Sequence, residues 1–463
     1  VLMPAAVALA LGLWRIDAVS YWADEGVSVS IAGRPWSDLP TILQHMDLAH
    51  AFYYVLLKCV IWLGGTGEIV TRLPSVIATA ATAGILAALG RRIDSTTTGL
   101  CAGLIYALLP MVSRYAQEAR QYALVTALVI GATYLLVVTV EQDPKRVRPW
   151  AGYALMLGVA SWLHLYALFI LPAHAAVLLR RRQEGVWSRW FLAAGTACAL
   201  AAPLALAARS QVGLISWLPR PDLGTIRHLR WLVFGGNPVV IWTVLALAVI
   251  GLCVPLTPTV RTVALPWLVL PIGLMVAISL TVQPIFYPRY VLYCVGALAL
   301  AAGAGVTRTV TWVTRRAPAY LVPVVLLALI AGFVGPAHAV IREPGTRPDD
   351  LRALAHALRD HARPGDAVLY VPAGNWMSVL PYPDSVAGLD TRTLHADTFF
   401  GELPPDRLRQ ALTGLTRIWL VQNKKSYGNA LELHNDPRFR QTAHWSFGTR
   451  QLSRYDRLPT PQR

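Results

Sequence analysis

Two adjacent carboxylates, Asp24 and Glu25, follow the first apolar run of the chain in the stretch Tyr21-Trp22-Ala23-Asp24-Glu25-Gly26. An ionisable group at the bilayer centre costs about 2.5–3.5 kcal/mol or more, so charges beside a span tend to serve function or to sit in water. A carboxylate partly removed from water is a better base. Two side by side can divide the tasks of taking a proton from a hydroxyl and positioning it. The plain alternative is a turn or a helix cap. Further along, His50 precedes Tyr53 by three residues, which shares one face if the segment is helical. The histidine there could bind phosphate, hold an acceptor or cap the helix. Glu118 and Arg120 are two apart and cannot share a helix face, but from a loop both could reach inward. Arg120 suits a phosphate, because a guanidinium makes bidentate contacts to its oxygens, and Glu118 could support it or help hold a divalent ion. Tyr122 closes that segment. His164 interrupts two apolar runs and reads either as a satisfied polar residue at a hairpin or as a substrate contact. Arg289 and Tyr290 end the run Pro284-Ile285-Phe286-Tyr287-Pro288, where arginine could grip a lipid phosphate and the aromatics could form an interfacial belt.

These residues need a scaffold, and the composition defines it. Of 463 residues, 55% are hydrophobic and 14% charged, and the mean hydropathy is +0.47. Repeated apolar runs approach the ~20 residues that a helix needs to cross a bilayer, so the chain reads as a polytopic helical membrane protein. The opening run lacks a basic n-region and a clear cleavage site, unlike a cleaved signal peptide. The net charge of +16 fits Lys and Arg in cytoplasmic loops. Without a basic stripe interleaved with aromatics or a nucleic-acid motif, it does not indicate nucleic acid. The five cysteines lie in apolar segments, so neither a disulfide framework nor a cysteine metal site is expected. No GxGxxG, Walker loop or HExxH is present, and no cytoplasmic nucleotide-binding domain is legible.

Apolar runs near 1–18, 69–90, 97–112, 121–141, 149–163, 165–179, 189–208, 239–256, 262–282, 290–306 and 318–337 are candidate spans. The basic clusters Arg91-Arg92, Lys145-Arg146-Arg148, Arg180-Arg181-Arg182-Arg189, Arg261 and Arg308-Arg315-Arg316 fall on alternate loops. With these loops cytoplasmic, the chain starts inside, crosses about eleven times and ends outside. The short run 51–66 is then a juxtamembrane or re-entrant helix. Every polar motif named above comes to one outer face, together with Asp47-Leu48-Ala49-His50 and the aromatic loop 209–238. That loop is expected to be amphipathic and to lie on the membrane, where it could gate a lipid.

The expected architecture is therefore mainly α: a transmembrane helical bundle over 1–339 and a small extracytoplasmic α/β domain over 340–463. In the latter, Leu351, Leu354, Ala355 and Leu358 recur at helical spacing after Asp349-Asp350. Ala367 to Val371 and Arg417 to Val421 read as buried strands, and Pro405 to Leu412 as a helix. No internal repeat is found.

Three local patterns carry a family resemblance. They are Tyr21-Trp22-Ala23-Asp24-Glu25; His50-Ala51-Phe52-Tyr53-Tyr54 with Gly67-Glu68 and Thr71-Arg72-Leu73-Pro74-Ser75; and Pro110 to Leu124, which contains Arg114-Tyr115-Ala116-Gln117-Glu118-Ala119-Arg120-Gln121-Tyr122. In this order they resemble the GT-C superfamily of integral-membrane glycosyltransferases, and within it the protein O-mannosyltransferase and aminoarabinose-transferase branch, over roughly residues 1–300. The chain departs from many relatives in having Ala51-Phe52 where they carry a proline pair, and Gln-Glu-Ala-Arg where they carry an aspartate. The resemblance implies a polyprenyl-phosphate-linked sugar donor used on the extracytoplasmic side of the plasma membrane, and a glycan, lipid or protein acceptor. It also implies an acidic residue of the first outer loop that deprotonates the acceptor hydroxyl. Such transfer needs a base for the hydroxyl and positive charge for the departing phosphate. Asp24 and Glu25 are the catalytic candidates, with Asp24 favoured as base. His50, Tyr53, Glu118, Arg120, Tyr122, His164, Arg289 and Tyr290 are candidates for binding. Asp24 and Glu118 are candidate ligands for a divalent ion, the only cofactor considered. The rival reading is a lipid or sugar transporter or flippase, which inverted repeats and charges deep in the bundle would mark. A non-catalytic envelope scaffold leaves the polar motifs unexplained.

Overall fold

A computed structural model describes residues 1–179, 185–254, 258–313, 320–396, 398–425 and 427–459. Arg180, Arg181, Arg182, Arg315 and Arg316 of the basic clusters lie outside the described residues. The chain is mainly helical, with one four-stranded sheet near its C-terminus. It forms two compact units. One comprises Val1–Ile16, Leu43–Leu56 and Arg72–Ile341, and the other Asp17–Ile42, Leu57–Thr71 and Arg342–Arg463.

Among the described residues, six helices are long and apolar enough to cross a membrane: Glu68–Ile93, Tyr122–Gln142, Val186–Gly213, Thr259–Thr281, Cys294–Trp312 and Leu321–Val340. Two bent pairs raise the number to eight if each is one span. Several of the eleven runs expected from hydropathy form helices shorter than these. Runs 1–18 and 165–179 fold into shorter helices, Leu2–Leu13 and Leu165–Leu178. Run 149–163 belongs to the 17-residue helix Val147–Leu163. The run 51–66 forms the 14-residue helix Ala51–Gly64, short of the ~20 residues of a perpendicular span.

In the helical unit, breaks in the helices position the polar motifs. Helix Thr96–Leu108 starts at Ser95, whose side chain accepts from the Thr98 amide, a normal N-cap. It stops before Pro110, which cannot donate to the ladder but suits the first turn of a new helix. Pro110–Ala116 therefore leaves at 65° and delivers residues 117–121 into the protein interior, where all five are buried. A second break, of 90°, separates Leu223–Phe234 from Pro238–Cys253. Gly235 and Gly236 both take positive φ there, 69° and 75°, which favours glycine. Helices Pro238–Cys253 and Cys294–Val313 approach closely because Gly251 and Gly305 lack side chains. A methyl group at either would strike the Ala301 or Leu247 carbonyl oxygen, the kind of small-residue contact that lets membrane helices pack.

Polar links hold the same unit. Asp94 pairs with Arg308 at 2.7 Å with both side chains buried. His174 bridges Thr133 Oγ1 (2.9 Å) and Tyr153 Oη (2.8 Å), and Trp190 Nε1 donates to the same tyrosine oxygen. A polar network removed from water this way is worthwhile only when its members are satisfied, and these partners satisfy them.

In the second unit, Leu351–His361 forms the expected amphipathic helix, with Leu351, Leu354, Ala355 and Leu358 buried. Strands β1 (Ala367–Val371), β2 (Arg417–Asn423), β3 (Phe439–Phe447) and β4 (Arg450–Arg457) form a sheet in the order β1-β2-β4-β3. β1 and β2 are parallel, and β4 is antiparallel to both neighbours. The core joins Leu369, Val371, Ile418, Leu420, Leu433 and Tyr455. Gly448 turns the β3-β4 hairpin at φ 76°, and a side chain there would also meet the Pro348 carbonyl oxygen.

Candidate active site

The candidate residues fall in both units. Asp24 and Glu25 occupy the first turn of helix Ala23–Gly33 in the unit that carries the sheet. That helix is tied to its own unit at several points. Asp349 Oδ2 accepts from the first helical amide, Ala23 N, at 3.2 Å. The Tyr21 carbonyl accepts from Leu351 N at 3.2 Å, and Ser30 Oγ donates to the Met377 carbonyl at 3.1 Å. An acidic pair in a first helical turn also gains from the helix dipole. Glu25 is fully buried, whereas Asp24 is half-buried. Asp24 lies in the field of Arg450, whose Nε donates to Ser378 Oγ at 3.1 Å and whose Nη1 donates to Asn423.

The helical unit gathers the other candidates around an aromatic cluster. His164 lies 4.7 Å from Tyr290, 5.9 Å from Tyr122 and 6.3 Å from His50, centroid to centroid. Tyr122 and Tyr290 are 6.1 Å apart. The buried Arg289 guanidinium sits over the rings of Tyr287 (4.7 Å), Tyr122 (5.4 Å) and Tyr290 (5.9 Å). Arg120 is 5.9 Å from the Tyr122 ring. Such faces attract cations, more strongly once water is excluded. The loop that presents Glu118 and Arg120 is pinned by Ser75 Oγ, which donates to both their carbonyls at 2.7 and 3.1 Å. Gln117 Nε2 donates to the Gly12 and Trp14 carbonyls at 2.9 and 2.8 Å. Glu118 is buried and lies 3.8 Å from Arg114.

Several members of this cluster carry no assignment from sequence reasoning. Asp47 holds His50 Nδ1 at 3.2 Å and accepts from Tyr54 Oη at 2.6 Å. Tyr54 enters the network because His50 ends a 3-10 turn and the ring four residues on comes alongside. Tyr53 is buried against the Tyr54 ring at 6.4 Å. The spacing Asp47, His50, Tyr54 was available as a signal. Burial acts to raise the Asp47 pKa, but the charge and hydrogen bond of His50, the charge of Arg120 and the Tyr54 hydrogen bond outweigh it. They hold the carboxyl well below the usual carboxylate range. Gln211 fixes the same turn, accepting from Leu48 N at 2.9 Å and donating to Leu43 O at 2.7 Å.

Beside these groups lies a cavity of about 240 Å³ lined by Asp47, His50, His164, Tyr166, Arg209 and Tyr290 among others. Burial, reinforced by His50, Arg120 and Arg289, pushes the His164 pKa far down, so this imidazole is neutral and offers hydrogen bonds rather than charge. Among the described residues its buried Nε2 has no hydrogen-bond partner, nor has either polar atom of the Gln121 side-chain amide. Unmet polar groups of this kind cost about 1–3 kcal/mol each.

A second cavity, about 440 Å³ and almost wholly apolar, is lined by Ile226, Val233, Trp242, Leu268, Pro288 and Val291 among others. Pro288 and Val291 flank Arg289-Tyr290 in sequence. Helix Leu223–Phe234 from the aromatic loop forms one wall and carries exposed Leu223, Ile226 and Trp231. Among the described residues no three His, Cys, Asp or Glu side chains gather as for a metal ion. Asp24 belongs to the unit with the sheet and Glu118 to the helical unit; one or two carboxylates together with substrate phosphates are the usual way a protein holds Mg²⁺.

The depressed Asp47 pKa has a sign that can be checked. The ionised form stabilises the native state fully above the ordinary carboxylate pKa near 4, and the contribution is lost as pH falls below it toward the native value. Asp47→Asn should therefore lower the thermal midpoint of the detergent-solubilised protein at pH 7. The gap to the parent should narrow as pH drops below about 4. A gap that stays constant or widens in acid would show that Asp47 is not held as the anion.

Comparison with known proteins adds a fold and a sequence family. Residues 51–206 match the family described as dolichyl-phosphate-mannose-protein mannosyltransferase. No curated protein matches the chain. Among solved structures, ArnT from Cupriavidus metallidurans bound to undecaprenyl phosphate superposes with a TM-score of 0.68 at 14% identity, over 98% of this chain and 97% of that one. The Archaeoglobus fulgidus oligosaccharyltransferase in its apo form gives 0.53 at 9% identity, over 91% and 69%. The arabinofuranosyltransferase AftD from mycobacteria gives 0.52 at 14% identity, over 99% of this chain and 40% of that much longer one. The chain carries the fold of the GT-C glycosyltransferases and, over residues 51–206, resembles the dolichyl-phosphate-mannose-protein mannosyltransferase family.

Proposed function

We propose that this protein is a membrane glycosyltransferase that moves a sugar from a polyprenyl-phosphate donor to an acceptor hydroxyl on the extracytoplasmic face. One observation carries the reading. Arg289 is buried over three tyrosine rings, and the residues on either side of Arg289-Tyr290 line an apolar cavity. A prenyl chain suits such a groove and a phosphate suits such an arginine. ArnT, similar over nearly its whole length, was solved with undecaprenyl phosphate, which supports the same class of lipid here.

In this reading Asp24 accepts the proton of the acceptor hydroxyl. The oxygen attacks the anomeric carbon, and the bond from that carbon to the phosphate oxygen breaks. Polyprenyl phosphate leaves with the electron pair, its charge met by Arg289 and Arg120. Neutral His164 supplies a hydrogen bond, and Tyr122, Tyr290 and His50 shape the binding surface. Asp24 is favoured over Glu25 as base because it remains half-exposed. The fully buried Glu25 is suited to positioning. The acceptor class stays a glycan, a lipid or a protein. No step here runs through a metal.

Asp24→Asn keeps the side chain's shape and removes the base, so transfer in proteoliposomes should fall by about 10²–10⁴ with membrane insertion intact. Near-parental turnover would remove Asp24 from this role. Glu25→Gln should lower turnover as well, and comparison of the two pH profiles separates base from positioning group.

Arg289→Ala removes a charged hydrogen bond worth about 1.5–3 kcal/mol. The donor KM should rise about ten- to a hundredfold with the acceptor KM little changed. A defect confined to the acceptor would place Arg289 elsewhere in the reaction.

A further inference from the structure

The unit that bears the sheet holds a cavity of its own, about 440 Å³, which the reaction above does not use. Its walls include Arg34, Tyr370, Trp376, Arg392, His395 and Phe399. The Arg34 guanidinium lies 4.8 Å from the Trp376 ring centroid and 5.0 Å from that of Phe399. Trp376 Nε1 donates to the Phe399 carbonyl at 2.8 Å, which locks the two rings that clamp the arginine. Among the described residues the clamped guanidinium has one ion-pair partner, Asp38 at 3.8 Å, beyond hydrogen-bonding distance. Its buried Nε has no hydrogen-bond partner. Arg392 is exposed, and its guanidinium has no ion-pair partner among the described residues. His395 stacks on Tyr370 at 5.1 Å, and its Nε2 lies 3.1 Å from the Val368 carbonyl.

This combination selects a ligand. Two guanidinium groups favour an anion, and the planar fork of a held arginine matches a carboxylate or a phosphate. Aromatic walls favour a small ring with apolar faces. The charged lining argues against a lipid chain, and the volume suits a small ligand. Had Arg34 served only to pack, its nitrogens would be expected to find carbonyls or carboxylates nearby, as Arg352 does with Glu68 at 2.7 Å.

We propose that this cavity binds an acidic saccharide, its carboxylate or phosphate held by Arg34 and Arg392 and its ring packed against Tyr370 and Phe399. That the saccharide belongs to the transferase's acceptor rests on the reading given above, but binding itself does not. The test uses the full-length protein in detergent without any donor, so loss of transfer activity cannot imitate its failure. Saturation-transfer NMR is run with glucuronate, glucose 6-phosphate, methyl glucoside and inorganic phosphate.

Saturable binding is expected for at least one acidic sugar, and whichever binds tighter assigns the charge to carboxylate or phosphate. Methyl glucoside should bind at least tenfold more weakly. Arg392→Ala, an exposed and fold-neutral change, and Arg34→Lys, which keeps the charge but loses the planar fork, should each weaken binding about tenfold or more. Four results overturn the proposal: no saturable binding of either acidic sugar, equal binding of methyl glucoside, equal binding of inorganic phosphate, or affinities unchanged in both variants.

Discussion

Positive charge buried among tyrosines is the constraint on which the helical unit's candidate site depends. Arg120 and Arg289 are buried and Arg114 is nearly so, and Asp47 and Glu118 are among the carboxylates near them. Taking an ion out of water costs several kcal/mol even after relaxation. The rings of Tyr122, Tyr287 and Tyr290 offset part of this, and the carboxylates offset more. A phosphate entering this setting would be bound by groups already oriented and already dehydrated, the condition under which electrostatic stabilisation is strongest.

The backbone devices that create this setting are ordinary ones used at specific places. Pro110 ends one helix and starts another at 65°, and the polar segment that follows, residues 117–121, is buried. Ser75 and Gln117 then satisfy and fix the inserted loop. Gly235 and Gly236 allow the second bend, which sets helix Leu223–Phe234 as a wall of the apolar cavity. In the other unit, a single carboxylate, Asp349, meets the start of the Asp24-bearing helix and also accepts from Thr449 N at 2.9 Å, next to the hairpin turn. The acidic pair is thereby held by residues more than 300 positions away in sequence.

Much of this was legible in the residues, and the misses have physical causes. Leu351, Leu354, Ala355 and Leu358 announce their helix, and Ala367 to Val371 their strand, because each buries a continuous apolar face. The β3-β4 hairpin was not expected. Most of β3, from Arg440 to Ser446, is exposed or only half-buried, so it lacks an apolar signature. The number of spans is not legible from hydropathy alone, because runs such as 149–163 and 165–179 fold into helices shorter than 18 residues. Around the candidate site, Arg289, Tyr290, His50, His164 and Tyr122 were legible as unusual polar or aromatic residues at the ends of apolar runs. Asp47 was visible as a polar motif, but its hold on both His50 and Tyr54 depends on a 3-10 turn that local spacing does not reveal. Tyr166 and Arg209 look like ordinary interfacial residues until the fold places them on the wall of one cavity.

The most direct measurement follows the leaving group. Protein reconstituted in proteoliposomes is supplied with a panel of polyprenyl-phosphate sugars, and release of free polyprenyl phosphate is followed beside appearance of glycosylated product. A lipid-linked glycosyltransferase would release one polyprenyl phosphate per sugar transferred, with nucleotide sugars inert as donors. Movement of an intact lipid or sugar across the bilayer with no polyprenyl phosphate released would contradict transferase chemistry and favour a transporter.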